Sequence, residues 1–148
     1  MSAPTIKSLL QDDGNETAQR IGFLLLNEFS MLAFASAIEP LRSANRQSGR
    51  ELYQWVIAST DGTPATASNG VEVASDGDPS VLQDCRMVFV CAGVNVRGNT
   101  DRNTLNLVRR LDRNGAVIGA ICTGTYVMAA AGLLDDRRCT IHWRILTG

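Results

Sequence analysis

Apolar and polar positions fall into two alternating patterns along this chain: short, nearly continuous apolar runs, and longer segments in which apolar residues recur every three or four positions. IGFLLL (21–26), YQWVIAST (53–60), MVFVCAG (87–93) and AVIGAI (116–121) belong to the first kind. Runs this short predict strands, and continuous apolarity predicts that both of their faces are buried. In the second kind, Met31, Phe34, Ala35, Ile38 and Leu41 follow Ser30, whose hydroxyl can cap a helix reaching roughly to Gly49. Pro40 removes one hydrogen bond from that helix and predicts a bend. Leu105, Val108 and Leu111 behind Asp101 predict another helix, ended near Asn114-Gly115, and TGTYVMAAAGLL (123–134) a third. CTIHW (139–143) alternates and predicts a final strand, with Ile141 and Trp143 on one side and Thr140 and His142 on the other.

Turn chemistry separates these elements. Asp61-Gly62 ends the second run, and Asn69-Gly70 within SNGVEVAS (68–75) predicts a short extended piece, half of a small hairpin. Residues 1–19 are mostly polar without sustained period and predict a flexible N-terminal tail. Strands alternating with helices require crossover connections, so the expected fold class is α/β, with a mostly parallel sheet and helices on both of its faces.

Composition adds limits rather than detail. The 148 residues, 45% apolar and 20% charged, suit one globular domain. A net charge of -1 supplies no overall attraction to nucleic acid or to an anionic membrane. No apolar run approaches a membrane span. Cysteines at 85, 91, 122 and 139 form no C-x-x-C pair and no charged-then-apolar leader opens the chain, which points to a reduced, cytoplasmic setting. There is no P-loop, no G-x-G-x-x-G and no zinc spacing, so neither a cofactor nor a metal is expected. Glu39 and Arg42, with Arg46 one turn further, read as surface partners on one helix. Arg109, Arg110, Asp112 and Arg113 read as the wet face of an amphipathic helix and not as a nucleic-acid patch.

Cys122 carries the candidate chemistry. It follows AVIGAI directly and precedes a helix, at the C-terminal end of a strand, where ligands bind in parallel sheets. Ala120 and Gly124 give the small-x-nucleophile-x-small pattern of a tight strand-to-helix elbow. A helix N-terminus lowers a thiol pKa, so Cys122 is expected to be the most reactive of the cysteines. The alternative is that Cys122 is one more small buried hydrophobe. His142, the only histidine, is expected to approach Cys122 from the neighbouring strand; the alternative is a structural histidine.

AICTGTYVMAAAGLLDDRRCTIHW resembles the cysteine elbow and histidine strand of the ThiJ/PfpI superfamily, a class I glutamine amidotransferase-like fold. FLLLNEFSMLAFASAIEPLRSANR, the turn at Ala92-Gly93-Val94 and the IHW segment more closely resemble the N-terminal sensor domain of AraC-type transcriptional regulators. The resemblance covers about residues 20–148 and implies a flavodoxin-like three-layer α/β/α sandwich. It places Cys122 at the nucleophile, His142 at its partner, and Ala92-Gly93-Val94 at the backbone turn facing the thiol, where the enzymes usually carry Gly-Gly. Ala33 occupies the position of the enzymes' acid, so no catalytic residue is assigned.

The resemblance thus implies an effector-sensing, dimerising domain that holds a small nitrogen-containing metabolite near Cys122, Thr123, His142, Ala92, Gly93 and Val94. Contact with DNA is expected only through a C-terminal helix-turn-helix domain missing from these residues, which read as an artificially shortened piece or a natural truncation, and no membrane partner is expected. A ThiJ/PfpI-class enzyme, a hydratase or amidase-like hydrolase using Cys122, is the alternative; a remnant without ligand is a third.

Overall fold

The computed structural model describes residues 17–146. Most of the expected tail, residues 1–16, lies outside the described residues, and Gln19 already belongs to the first strand. Strands β1 (Gln19–Leu25), β2 (Tyr53–Ser59), β5 (Met87–Cys91) and β6 (Val117–Ile121) form a parallel sheet in the order β2-β1-β5-β6. Helices α1 (Met31–Ser48), α2 (Arg102–Arg113) and α3 (Gly124–Ala130) connect and cover it.

Alternation along β1 explains the layering, because successive side chains point to opposite faces. Ile21, Phe23 and Leu25 enter one core with Phe29 and Phe34, against which Ile38 and Leu41 of α1 also pack. Leu24 and Leu26 enter the other, with Val88, Val90, Leu107, Val108, Leu111 and Val127. A central strand buried on both faces needs apolar residues at every position, which is why IGFLLL is unbroken. The result is the three-layer, flavodoxin-like α/β/α arrangement.

Local caps set the helix boundaries. Ser30 Oγ accepts the Ala33 amide at 3.3 Å, Asp101 Oδ1 accepts the Thr104 amide at 2.7 Å, and Gly49 closes α1 in the left-handed region at φ 65°. Bonds from Thr104 hold the Asp101 carboxyl below the usual carboxylate range. Helix α1 runs through Pro40 as one element. The Asn69-Gly70 turn does join a hairpin, between β3 (Ala65–Thr66) and β4 (Glu72–Val73), whose first strand the sequence pattern did not announce. A 3-10 turn over Pro79–Leu82, capped by Asp78, seals the sheet with Leu82 fully buried.

Three expectations need correction. Residues 139–142 form no strand, and Trp143–Leu146 form a 3-10 turn. The chain reverses at Asp136 (φ 59°), the Thr125 hydroxyl holds the Thr140 carbonyl at 2.8 Å, and Ile145 packs against a core cluster. These tethers draw the segment over the end of the sheet instead of along β6, and Trp143 is left 64% exposed. Helix α3 stops at Ala130, not Leu134, because Gly132 is left-handed at φ 79°. Arg109 is not simply on the wet face: its guanidinium donates to the Ala131 and Ala130 carbonyls at 2.9 and 3.2 Å, capping α3. Glu39 and Arg42 do form an exposed pair, at 2.6 Å. Among the described residues no helix is long and apolar enough to cross a membrane.

Candidate functional site

The parallel strands β1, β5 and β6 all end at one edge, and the segments that follow them enclose a cleft of ≈ 450 Å³. Immediately after β6, Cys122 adopts a left-handed conformation at φ 59°. An L residue reaches that region only at a cost of roughly 1–2 kcal/mol, so the elbow is a strained turn held by its surroundings. Gly124 explains how it closes: a Cβ there would overlap the Val90 carbonyl oxygen of β5 and sit 3.5 Å from the Ala120 methyl. The small residues on either side of Cys122 are therefore required by the approach of α3 to the sheet.

The strain gives a direct test. At an ordinary position glycine is less stable than alanine by roughly 0.5–1 kcal/mol. At residue 122 the order is expected to reverse, with Cys122→Gly more stable than Cys122→Ala by about 1 kcal/mol. Paired denaturant titrations measure this, and the ordinary order would refute a strained elbow.

Opposite the elbow stands the turn after β5. A Cβ on Gly93 would overlap the Glu28 carbonyl oxygen, so only glycine lets this turn lie against the 28–30 segment. There the Val94 amide donates to the Glu28 carbonyl at 3.0 Å and the Ser30 amide to the Ala92 carbonyl at 3.4 Å. The Val94 N–H is thus already engaged and does not face a reacting oxygen. The Thr123 hydroxyl donates to the Gly93 carbonyl at 2.7 Å, tying elbow to turn and leaving only its lone pairs for a ligand. Ala92 is 1% exposed, behind the turn and outside the lining of the cleft, whereas Gly93 and Val94 line it.

His142 lines the same cleft as Cys122, although it arrives from the 139–142 segment and not from a strand. Its ring stacks on Trp143 with centroids 5.7 Å apart, and its Nδ1 lies 3.4 Å from the Arg144 amide. Among the described residues no hydrogen bond joins it to Cys122. The two residues share a cleft, and among the described residues the hydrogen-bonded dyad of a thiol enzyme is not formed.

Among the described residues no aspartate or glutamate lines the cleft. Ala33 sits half-buried one turn into α1, and the Glu28 carboxylate is held by the Asn99 side-chain amide at 3.0 Å. Among the described residues no three His, Cys, Asp or Glu side chains are placed to hold a metal ion. Burial pushes the Cys91 thiol far above its ordinary value, and burial likewise raises that of Cys85 against the opposing charge of Arg20. Accessible thiols are Cys122, half-buried in the cleft, and Cys139, exposed outside the elbow. Exposure alone therefore does not single out Cys122.

The cleft also contains residues that the sequence pattern did not mark: Ser30, Ser68, Asn95, Arg97 and Arg144. Arg97 lies in the same post-β5 loop as Gly93 and Val94, and Arg144 follows His142 closely, which is the signal that their neighbours offered. Ser68 arrives on the hairpin, where its amide donates to the Phe29 carbonyl at 2.9 Å, and nothing in its sequence context announces that.

Residues 19–147 match the model of the DJ-1/PfpI family. The chain is 43% identical over 134 residues to the HTH-type transcriptional regulator GbdR of Pseudomonas aeruginosa (strain UCBPP-PA14), covering 89% of this chain and 36% of GbdR. It is 29% identical over 131 residues to the isonitrile hydratase of Pseudomonas putida, covering 85% of this chain and 53% of the hydratase. The crystal structure of an AraC family transcriptional regulator from Pseudomonas putida superposes with a TM-score of 0.75 at 28% identity, over 86% of this chain and 70% of that one.

Proposed function

Since the chain belongs to the DJ-1/PfpI family, we propose that it is the effector-sensing domain of an AraC-type transcriptional regulator, binding a small nitrogen-containing metabolite in the Cys122 cleft without turning it over. One observation carries this reading: the elbow and a histidine face a common cleft whose lining, among the described residues, includes no aspartate or glutamate. Thiol chemistry on a substrate needs a group to orient and relay protons, and among the described residues neither an acid in the cleft lining nor a Cys122–His142 hydrogen bond supplies it. What remains is a cleft with an apolar wall, backbone polar groups and a few side-chain donors, sufficient to orient a small polar molecule. Similarity to GbdR supports the regulatory context. Binding to DNA is assigned to a separate helix-turn-helix domain, and association as a two-fold dimer, read by sedimentation, is part of the proposal.

A thermal-shift screen of amino acids, betaines and related amines tests it. A ligand that binds only the folded form adds about 2.7 kcal/mol at a hundredfold excess over its dissociation constant, worth roughly 5–11 °C in a domain of this size. At least one stabiliser is expected, and Cys122→Trp should abolish its effect by filling the cleft. The second reading, an enzyme using Cys122, is favoured by the strained elbow and by the hydratase relative. Multiple turnovers of a screen compound, lost on Cys122→Ser, would establish that reading instead.

A further inference from the structure

The walls of the Cys122 cleft are not held alike. Elbow and facing turn are built into the sheet: the Thr123 hydroxyl donates to the Gly93 carbonyl at 2.7 Å, and Gly124 rests against the Val90 carbonyl oxygen of β5. Another side of the cleft is formed by His142, Arg144 and Ile145. They belong to residues 137–145, which join no strand and are mostly exposed. A segment outside the sheet ladder opens at lower free energy than the strands beside it.

Two contacts tie this segment to the body. Near its middle the Thr125 hydroxyl of α3 donates to the Thr140 carbonyl at 2.8 Å, and at its end Ile145 packs against the core cluster that contains Val127. Between these points His142, Trp143 and Arg144 form a stack of their own, with ring centroids 5.7 Å apart and the Arg144 Cζ 5.9 Å from the centre of the Trp143 ring. The stack therefore moves as a unit. Before it lie two left-handed residues, Gly132 at φ 79° and Asp136 at φ 59°, where the chain reverses and about which the segment can turn.

The Thr125–Thr140 bond opens at low cost. Thr140 is exposed, so water replaces the hydroxyl at its carbonyl, while Thr125, 8% exposed, can turn its hydroxyl to a carbonyl of the turn before it. Neither group is left as a buried orphan. We propose that residues 137–145 form a strap across the Cys122 cleft, latched by the Thr125 hydroxyl on the Thr140 carbonyl. Release of this one bond admits small molecules to the thiol, and an occupant that touches His142 or Arg144 holds the strap closed, because it binds the latched state better than the open one. The proposal deepens the sensor reading and rests on the same cleft. Thr125 acts in it as a positioning residue, through the backbone that carries His142.

Iodoacetamide reads the latch without any identified ligand, forming an S–C bond at the thiol with loss of iodide. Thr125→Val keeps the branched shape and removes the donor. Its alkylation rate at Cys122, followed by peptide mapping, should rise roughly 3- to 10-fold, the change in open population that loss of one ordinary hydrogen bond implies. Thr125→Ser, which keeps the hydroxyl, should restore the parent rate. Trypsin gives a second reading: cleavage after Arg138 and Arg144 should accelerate in Thr125→Val, while cleavage after Arg50, exposed between α1 and β2, should not. Ile145→Ala loosens the other tie and should raise both rates, which keeps the test decisive even where Thr125→Val fails to fold.

An unchanged Cys122 rate in Thr125→Val, with its unfolding midpoint intact, would overturn the latch. A rise matched at Cys91, which is buried in the core, would reveal general loosening and overturn it as well. Added to the parent protein, a stabiliser from the thermal screen should slow cleavage after Arg144 and protect Cys122. Protection of Cys122 with strap cleavage unchanged would refute closure on the occupant while leaving the sensor reading intact. A screen with no stabiliser would count against the sensor reading, and the rates in Thr125→Val would still decide the latch.

Discussion

Phe23→Ala is expected to lose roughly 3–5 kcal/mol of unfolding free energy, the range for truncating a fully buried aromatic ring. Phe23 is 0% exposed on the central strand and lies between the sheet and α1. Its ring meets Phe34 edge-on at 5.4 Å and stacks on Phe89 at 5.8 Å. Truncation therefore loses transfer free energy and two aromatic contacts, and leaves a cavity bounded by a helix and two strands that cannot collapse independently. Domains of this size are stable by about 5–15 kcal/mol, so the loss is a large fraction of the total. Urea titration should show a lower midpoint at unchanged slope. Leu32→Ala is the control: at 79% exposure it should change stability by about 0.5 kcal/mol or less. A loss below roughly 1 kcal/mol for Phe23→Ala would mean that the layer between β1 and α1 is not packed as described.

Phe23 also illustrates why the sheet was legible. A strand covered on both faces has no solvent-facing register to fill with polar residues, so burial writes itself directly as IGFLLL and MVFVCAG. Helices α1 and α2 were legible because each buries one stripe and begins at a residue whose side chain caps it, Ser30 and Asp101. The failures have a common cause: they concern segments whose conformation depends on a partner. Alternation in CTIHW is compatible with a strand, but a strand exists only when another offers a ladder, and here the Thr125 hydroxyl takes the Thr140 carbonyl instead. Strand β3 is too short for any period, and its place is set by Phe29, whose carbonyl accepts the Ser68 amide.

The site divides along the same line. Cys122 could be found because a left-handed residue between β6 and α3 forces small neighbours, and that requirement is local. Gly93 could be found through the turn it makes. Arg97 could not, because a single arginine in a loop has no spacing that marks it. Its place in the lining of the same cleft as Cys122 follows from the pairing of β5 with β6 and from its contact with the ring of Tyr126, both of which belong to the fold and not to the motif. The orientation of His142 was equally out of reach, since it follows from the 3-10 turn that replaced the expected strand.

Gly124→Ala separates the elbow from the rest of the fold. Without steric conflict, replacing glycine by alanine at a compatible position stabilises a protein by about 0.4–1 kcal/mol, so a favourable result is the default expectation. At residue 124 the added Cβ would overlap the Val90 carbonyl oxygen. That oxygen belongs to backbone in the middle of the sheet, flanked by strands on both sides, and no side-chain rotation relieves the contact. Helix α3 must retreat by on the order of 1 Å to restore an ordinary carbon–oxygen separation. Retreat would loosen Val127, 0% exposed in the core, and stretch the Thr123 bond to Gly93. The expected outcome is a destabilisation at or above the upper end of the roughly 1–3 kcal/mol typical of overpacking, with the sign opposite to the default. Binding of any screen ligand should fall as well, because the elbow and the turn facing it would no longer hold their spacing. Gly115→Ala provides a reference at a left-handed glycine with open space around it, where the cost is conformational only. A Gly124→Ala protein as stable as the parent, binding the same ligand equally well, would show that α3 does not start against β5 and that the cleft is not built on this elbow.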